Sequence, residues 1–169
     1  MVTPVIILIQ ASKLMYEGAR MSEIIRYIQK HELRELLALY KYLNKDDPTV
    51  TENAELRSLW KEILEDKGQH YLVAEVDGKI VSSCVMVVIK NLTRDANPYA
   101  LIENVVTHPD YRNKGIGTKL LKRAQEIAKE KGCYKIMLLT GRKNAIPFYE
   151  TAGFERKSKI GFIIRFDGR

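Results

Sequence analysis

At 169 residues, with 46% hydrophobic and 29% charged residues, the chain suits one soluble domain large enough to bury a real core. Its formal net charge of +7 fits an acidic partner, whether nucleic acid, a membrane surface or a phosphorylated small molecule. The two cysteines, Cys84 and Cys133, lie in apolar stretches without metal-ligand spacing, which excludes a disulfide scaffold and reads as reduced core residues in a cytoplasmic protein.

Residues 1–20 differ in composition from the rest of the chain. Val5-Ile6-Ile7-Leu8-Ile9 is too short to span a bilayer, has no basic residue before it and lacks a convincing cleavage site, so neither a membrane helix nor a signal peptide is expected. Met21-Ser22-Glu23 is a second plausible start, and Glu17-Gly18 can be encoded by purine-rich codons of the kind found in a ribosome-binding site. Two readings stand side by side: a misassigned start before a domain of residues 21–169, or an extra strand or arm packing on a neighbouring subunit.

Glu23 to Ile28 reads as a first strand. Leu33, Leu36, Leu37, Tyr40 and Leu43 mark one face of a helix, which Asn44-Lys45-Asp46-Asp47-Pro48 breaks. Leu56, Leu59, Trp60, Ile63 and Leu64 mark a second helix ending near Gly68. Trp60 in such a stripe reads as core rather than pocket lining. His70 to Val76 is a strand, Asp77-Gly78 a hairpin turn and Lys79 to Ile89 the partner strand. Asn91-Leu92-Thr93 matches a glycosylation acceptor by chance, because no secretory signal accompanies it.

Leu101 to Ala128 organises the chain. Leu101 to Thr107 is apolar and β-branched, as in a buried strand. His108-Pro109-Asp110 turns, and Ile116, Leu120, Leu121, Ala124, Ile127 and Ala128 fall at helical spacing behind Arg112-Asn113-Lys114-Gly115-Ile116-Gly117. The first amides of such a helix have no intrahelical partner, and the positive end of the helix dipole lies behind them. Glycines admit an anion to those amides, so strand, glycine loop and helix predict a phosphate cradle. Gly132 caps the helix, Tyr134 to Thr140 is a further strand, Ala145 to Thr151 a short helix closing at Gly153, and Phe154 to Phe166 one or two last strands. Strand–helix–strand implies a parallel pair joined by a crossover.

Two familiar phosphate loops do not fit. A dinucleotide fingerprint needs glycine at position 120, where Leu120 stands, and Gly117-Thr118-Lys119 lacks the order of a Walker loop. The loop instead resembles the Arg/Gln-x-x-Gly-x-Gly/Ala signature of the GNAT superfamily of acyl-coenzyme A N-acetyltransferases. Phe148-Tyr149-Glu150-Thr151-Ala152-Gly153-Phe154 supplies a second similar block, and the resemblance covers roughly residues 23–166. It implies an α/β (α+β) fold: a mixed, mostly antiparallel sheet of six to seven strands, helices on both faces and a splayed central parallel pair.

The resemblance also implies acetyl-CoA as co-substrate and an amine as acceptor. Val105, Val106 and Thr107 then face the pantetheine arm and thioester. Arg112, Asn113, Lys114, Gly115, Ile116, Gly117 and Thr118 hold the pyrophosphate. An Asn that the family often carries seven residues before the tyrosine is replaced here by Arg142, with Asn144 nearby as substitute or as an ordinary turn residue. Glu103 is either the base that frees the amine or a strand-edge glutamate paired with a nearby cation. Freeing an alkylamine of pKa about 10.4 near neutral pH costs roughly 4 kcal/mol, which is why a carboxylate beside it matters. Tyr149 is either the proton donor to the leaving thiolate or a core aromatic.

His108 reads as a turn residue, and His31 and His70 have no ligand partners at useful spacing, so no metal is expected. A non-catalytic acyl-CoA-binding regulatory module is the main alternative. A nucleic-acid-binding protein is less favoured, because no aromatics interleave the basic residues. No membrane contact is expected, a homodimer is left open, and the acceptor is not readable, with Asp46 and Asp47 as attractors of a cationic amine or plain turn punctuation.

Overall fold

Successive residues of a strand point to opposite faces, so a strand covered on both sides must be apolar at every position. Leu72 and Val73 show this in the computed structural model, which describes residues 22–44, 46–156 and 160–166. Leu72 packs with Leu120, Leu121 and Ala124, whereas Val73 packs with Leu33, Leu36 and Trp60 on the other face. Residues 1–20 lie outside the described residues.

The sheet runs in chain order. β1 (Glu23–Tyr27), β2 (Gln69–Val76), β3 (Lys79–Ile89) and β4 (Tyr99–Thr107) pair antiparallel, and β5 (Ile136–Leu138) joins β4 in parallel. Asp77 and Gly78 both take positive φ, 50° and 77°, the geometry a two-residue hairpin needs. Helices α1 (Leu33–Tyr40) and α2 (Ala54–Glu65) cover one face, α3 (Ile116–Glu130) and α4 (Ile146–Thr151) the other.

The local chemistry matches these bounds. Asn53 Oδ1 accepts from the Leu56 amide at 2.8 Å to open α2. Left-handed Gly132, at φ 71°, turns the chain so that the Cys133 amide reaches back to the Ala128 carbonyl at 2.9 Å and closes α3. Trp60 is a core residue: 5% exposed, its Nε1 donating to the Lys30 carbonyl at 2.9 Å. On β1, Arg26 bridges Glu32, at 2.5 and 2.8 Å, and Glu75, at 2.6 and 2.9 Å, fixing the chain's entry into α1.

Five strands form among the described residues rather than six to seven, and the parallel pair lies at the sheet edge rather than its centre. Phe154–Phe166 carries no strand among the described residues, and Ile160, Phe162, Ile164 and Phe166 are exposed. A β-branched run becomes a strand only against a partner ladder. β5 offers little of one: expected over 134–140, it spans three residues.

Candidate active site

The β4–β5 ladder ends at Ile102↔Leu138. Beyond it β4 runs on to Thr107 while the chain after β5 turns away, so the two part where Glu103 begins. A bulge adds to the divergence. The β3–β4 register shifts between Ser83 and Val85, and Asn104 opposite takes a left-handed φ of 52°. A β-bulge bends its strand and sharpens the local twist, which re-aims the side chains around it.

The gap is a cavity of about 500 Å³ lined by Glu103, Asn104, Val105, Thr140, Arg142 and Tyr149 among others. The strand end therefore brings together two of the side chains expected to do chemistry. Glu103 is exposed, which suits a group that exchanges protons with solvent or substrate. Tyr149 is half-buried on α4, its ring tilted against Phe148 at 4.9 Å and edge-on to Phe154 at 6.3 Å. Burial pushes the Tyr149 phenol above its ordinary pKa, Arg142 pulls it down, and Glu103 pushes it further up. The phenol stays protonated at neutral pH, as a proton donor must.

The glycine loop follows the end of β4, with Gly117 against Thr107 and Phe148. Gly115 takes φ 78° as the N-cap of α3 and contributes no side-chain cap, so the amides of Ile116, Gly117 and Thr118 remain available. Asn113 is also left-handed, at 59°. Arg112 donates from Nε to the Thr107 carbonyl at 3.0 Å, tying the loop to the end of β4. Lys114 lies over the Tyr111 ring at 5.1 Å. Neither Arg112 nor Lys114 has a carboxylate partner among the described residues.

Several expected site residues sit in unexpected roles. The Ile116 side chain is buried with Ala74, Val76 and Val81, leaving only its backbone toward the loop. Gly117 is buried too, against Thr107 and Phe148. The Val106 carbonyl accepts from the Ser82 hydroxyl at 2.8 Å, and the Thr107 hydroxyl lies 2.8 Å from that same serine hydroxyl. Val105, by contrast, lines the cavity. Asn144 is exposed on the 3-10 turn Lys143–Ala145 and outside the cavity lining, whereas Arg142 is part of it. Arg142 bonds the Leu43 carbonyl and Asn44 Oδ1, the latter at 3.0 Å, so the loop after β5 is tied to the end of α1. Ring packing of His108 on Tyr42, 4.6 Å apart, ties the glycine loop to the same place.

Sequence reasoning missed Asn104, Thr140 and Arg165 as lining residues. Only a left-handed preference of Asn gives any signal for the first.

Among the described residues no cluster of three His, Cys, Asp or Glu side chains is placed to hold a metal ion, and no helix is long and apolar enough to cross a membrane. Cys84 and Cys133 are free thiols, and burial pushes the Cys84 thiol up to about 12.

The chain, with its five-stranded mixed sheet and glycine-loop helix, matches the Acetyltransferase (GNAT) family over residues 31–154, so it belongs to that family. Its relatives follow suit. It is 40% identical over 86 residues to the glucosamine 6-phosphate N-acetyltransferase of Trypanosoma brucei brucei, which is 49% of this chain and 58% of that protein. It is 32% identical over 142 residues to an uncharacterized N-acetyltransferase of Methanocaldococcus jannaschii, covering 80% of this chain and 62% of that one. A solved structure of a provisionally named acetyltransferase from Agrobacterium tumefaciens str. C58 superposes with a TM-score of 0.79 at 40% identity, over 84% of this chain and 99% of that chain. The chain spans about three fifths of the length of the curated relatives it matches.

Proposed function

We propose that this chain transfers the acetyl group of acetyl-CoA to a primary amine by direct attack of the nitrogen on the thioester carbon. The observation that carries this reading is the parting of β4 from β5 at Ile102 and Leu138, which sets Glu103 and Tyr149 around one cavity beside the uncapped start of α3. Membership of the family and the names of the relatives support the reaction class.

The co-substrate supplies an activated acyl group; the chain supplies placement and protons. In this reading the amides of Ile116, Gly117 and Thr118, with Arg112, Asn113 and Lys114 around Gly115, hold the pyrophosphate. Val105 flanks the pantetheine arm, and Val106 and Thr107 serve as the braced strand behind it, because their polar groups are engaged with Ser82 and Arg112. Asn144, exposed and outside the cavity lining, is assigned a contact with the cofactor in this reading.

Glu103 takes a proton from the ammonium, directly or through water, leaving a free amine. A C–N bond forms as the C–S bond breaks, and the sulfur leaves as a thiolate. Tyr149 gives that thiolate its hydroxyl proton, and the proton that the newly acylated nitrogen releases restores the phenol; the phenol and thiol pKa values lie within about 1.5 units of each other before burial acts. The chain works in the cytoplasm in this reading, consistent with two free thiols. It pairs as a homodimer in this reading, supported by the exposed apolar residues of Ile160–Phe166, whose Gly161 lies against Leu139 just past the edge strand β5.

The test is acetyl-CoA turnover across a panel of amines, with released thiol matched mole for mole to acetylated amine by mass spectrometry. Equal quantities of both support transfer. Tight acetyl-CoA binding with no acetylated product from any amine would favour the regulatory module instead.

A further inference from the structure

Among the described residues, two guanidinium groups and one carboxylate line the cavity around Glu103 and Tyr149. Its charged lining residues are Glu103, Arg142 and Arg165. They come from three separate parts of the chain: β4, the loop after β5 and the segment Ile160–Phe166. Neither arginine has an ion-pair partner among the described residues. Arg142 is anchored by the Leu43 carbonyl and Asn44 Oδ1, both neutral, and Asp47 reaches this anchor through the Asn44 amide, at 3.1 Å. A guanidinium fixed by neutral acceptors is positioned without being neutralised, and its other N–H groups stay free for a second ligand.

This charge balance conflicts with a plain amine. An ammonium ion entering the cavity meets one carboxylate and two guanidiniums, and a polycation fares worse. An acceptor that carries its own anion resolves the conflict. Its amine lies toward Glu103, and its anionic group lies toward Arg142 and Arg165, where charge-assisted and bidentate bonds are strongest. We propose that the acceptor is a primary amine bearing a carboxylate or phosphate, and that Arg142 and Arg165 bind that anion and set specificity. The inference rests on the acetyl-transfer reading above.

Matched pairs test it: an amino acid against its amide, an aminoalkyl phosphate against its amino alcohol, and an amino-sugar phosphate against its parent sugar. Initial rates of thiol release are corrected for the fraction of free amine. The anionic member of at least one pair should show kcat/KM higher by about 10-fold or more, as one charge-assisted bond allows. Which pairs show the preference assigns the anion as phosphate or carboxylate.

Arg165→Gln should raise KM for the anionic amine by a similar factor, with KM for acetyl-CoA and melting temperature unchanged. Arg165→Glu should reverse the preference toward the neutral member. Arg142→Gln should act like Arg165→Gln and also loosen the loop at Leu43.

Neutral members that turn over as well as their anionic partners overturn the inference and leave acetyl transfer standing. A rise in KM for acetyl-CoA instead of the amine also overturns it, assigning the arginines to coenzyme A. If no amine of either kind is acetylated while acetyl-CoA still binds, the transfer reading fails and takes this inference with it.

Discussion

Gly117 lies against Phe148: a Cβ built on the glycine stands 3.1 Å from the ring's Cε2 and 3.1 Å from Thr107 Oγ1. The second glycine of the loop is therefore where the start of α3 meets α4 and the end of β4. Gly115, with φ 78° and nothing within 4 Å of its own Cβ position, is the one that shapes the cradle. The two glycines of one motif thus do different physical work.

Gly117→Val should be the more damaging change, because its branched side chain must displace the ring beside Tyr149. Overpacking of this kind costs about 1–3 kcal/mol. Gly115→Ala meets no atoms, and only the left-handed backbone opposes it, at about 1 kcal/mol. Denaturant unfolding of both variants checks the order. A Gly117→Val protein as stable as the parent would mean that Phe148 does not pack there.

Arg26 holds the Glu32 carboxyl below the ordinary carboxylate range through its hydrogen bonds, against the opposing effect of burial. A carboxyl depressed in this way stabilises the folded state above its unfolded pKa of about 4.3, and the contribution is lost as pH falls through the lower folded value. Melting temperature should therefore drop below about pH 4. Glu32→Gln, which leaves Arg26 with Glu75 alone, should cost about 2–3 kcal/mol at neutral pH and flatten that acid limb. Melting curves from pH 2 to 7 check both, and an acid limb unchanged in Glu32→Gln would assign it to other carboxylates.

Turnover should rise with pH while the acceptor amine loses its proton. The alkaline fall that deprotonates Tyr149 should lie above about 10, the ordinary phenol value, because burial raises it. Arg142→Gln removes a downward pull and should move that fall higher still. A pH profile of kcat with an amine of low pKa separates the two limbs, and a fall centred below pH 9 would contradict a buried donor.

Much of this was legible in the sequence, because it depends on local pattern. The apolar run Leu101–Thr107, the helical stripe from Ile116 to Ala128 and the turn at Asp77-Gly78 each dictate their own element. The stripe of α2 put Trp60 in the core for the same reason. What depends on pairing was not legible. Phe162, Ile163, Ile164 and Phe166 have strand chemistry, but a strand needs a ladder, and β5 pairs over three residues before it parts from β4. That early parting, together with the left-handed Asn104, is what opens the cavity, and neither is written in β-branched composition. The meeting of Glu103, Arg142 and Arg165 is a tertiary fact, with no spacing signal to announce it.

Tyr149 is the proposed proton donor beside Glu103 at the gap between β4 and β5, and kcat of Tyr149→Phe tests that role most directly. The substitution keeps the ring against Phe148 and Phe154 and removes only the hydroxyl. With an acceptor in hand, kcat should fall about 100-fold or more, roughly 3 kcal/mol, while KM for acetyl-CoA stays nearly constant. A more activated thioester, whose thiolate leaves unaided, should be less affected. Normal turnover of acetyl-CoA by Tyr149→Phe would contradict the account and reduce Tyr149 to a packing residue.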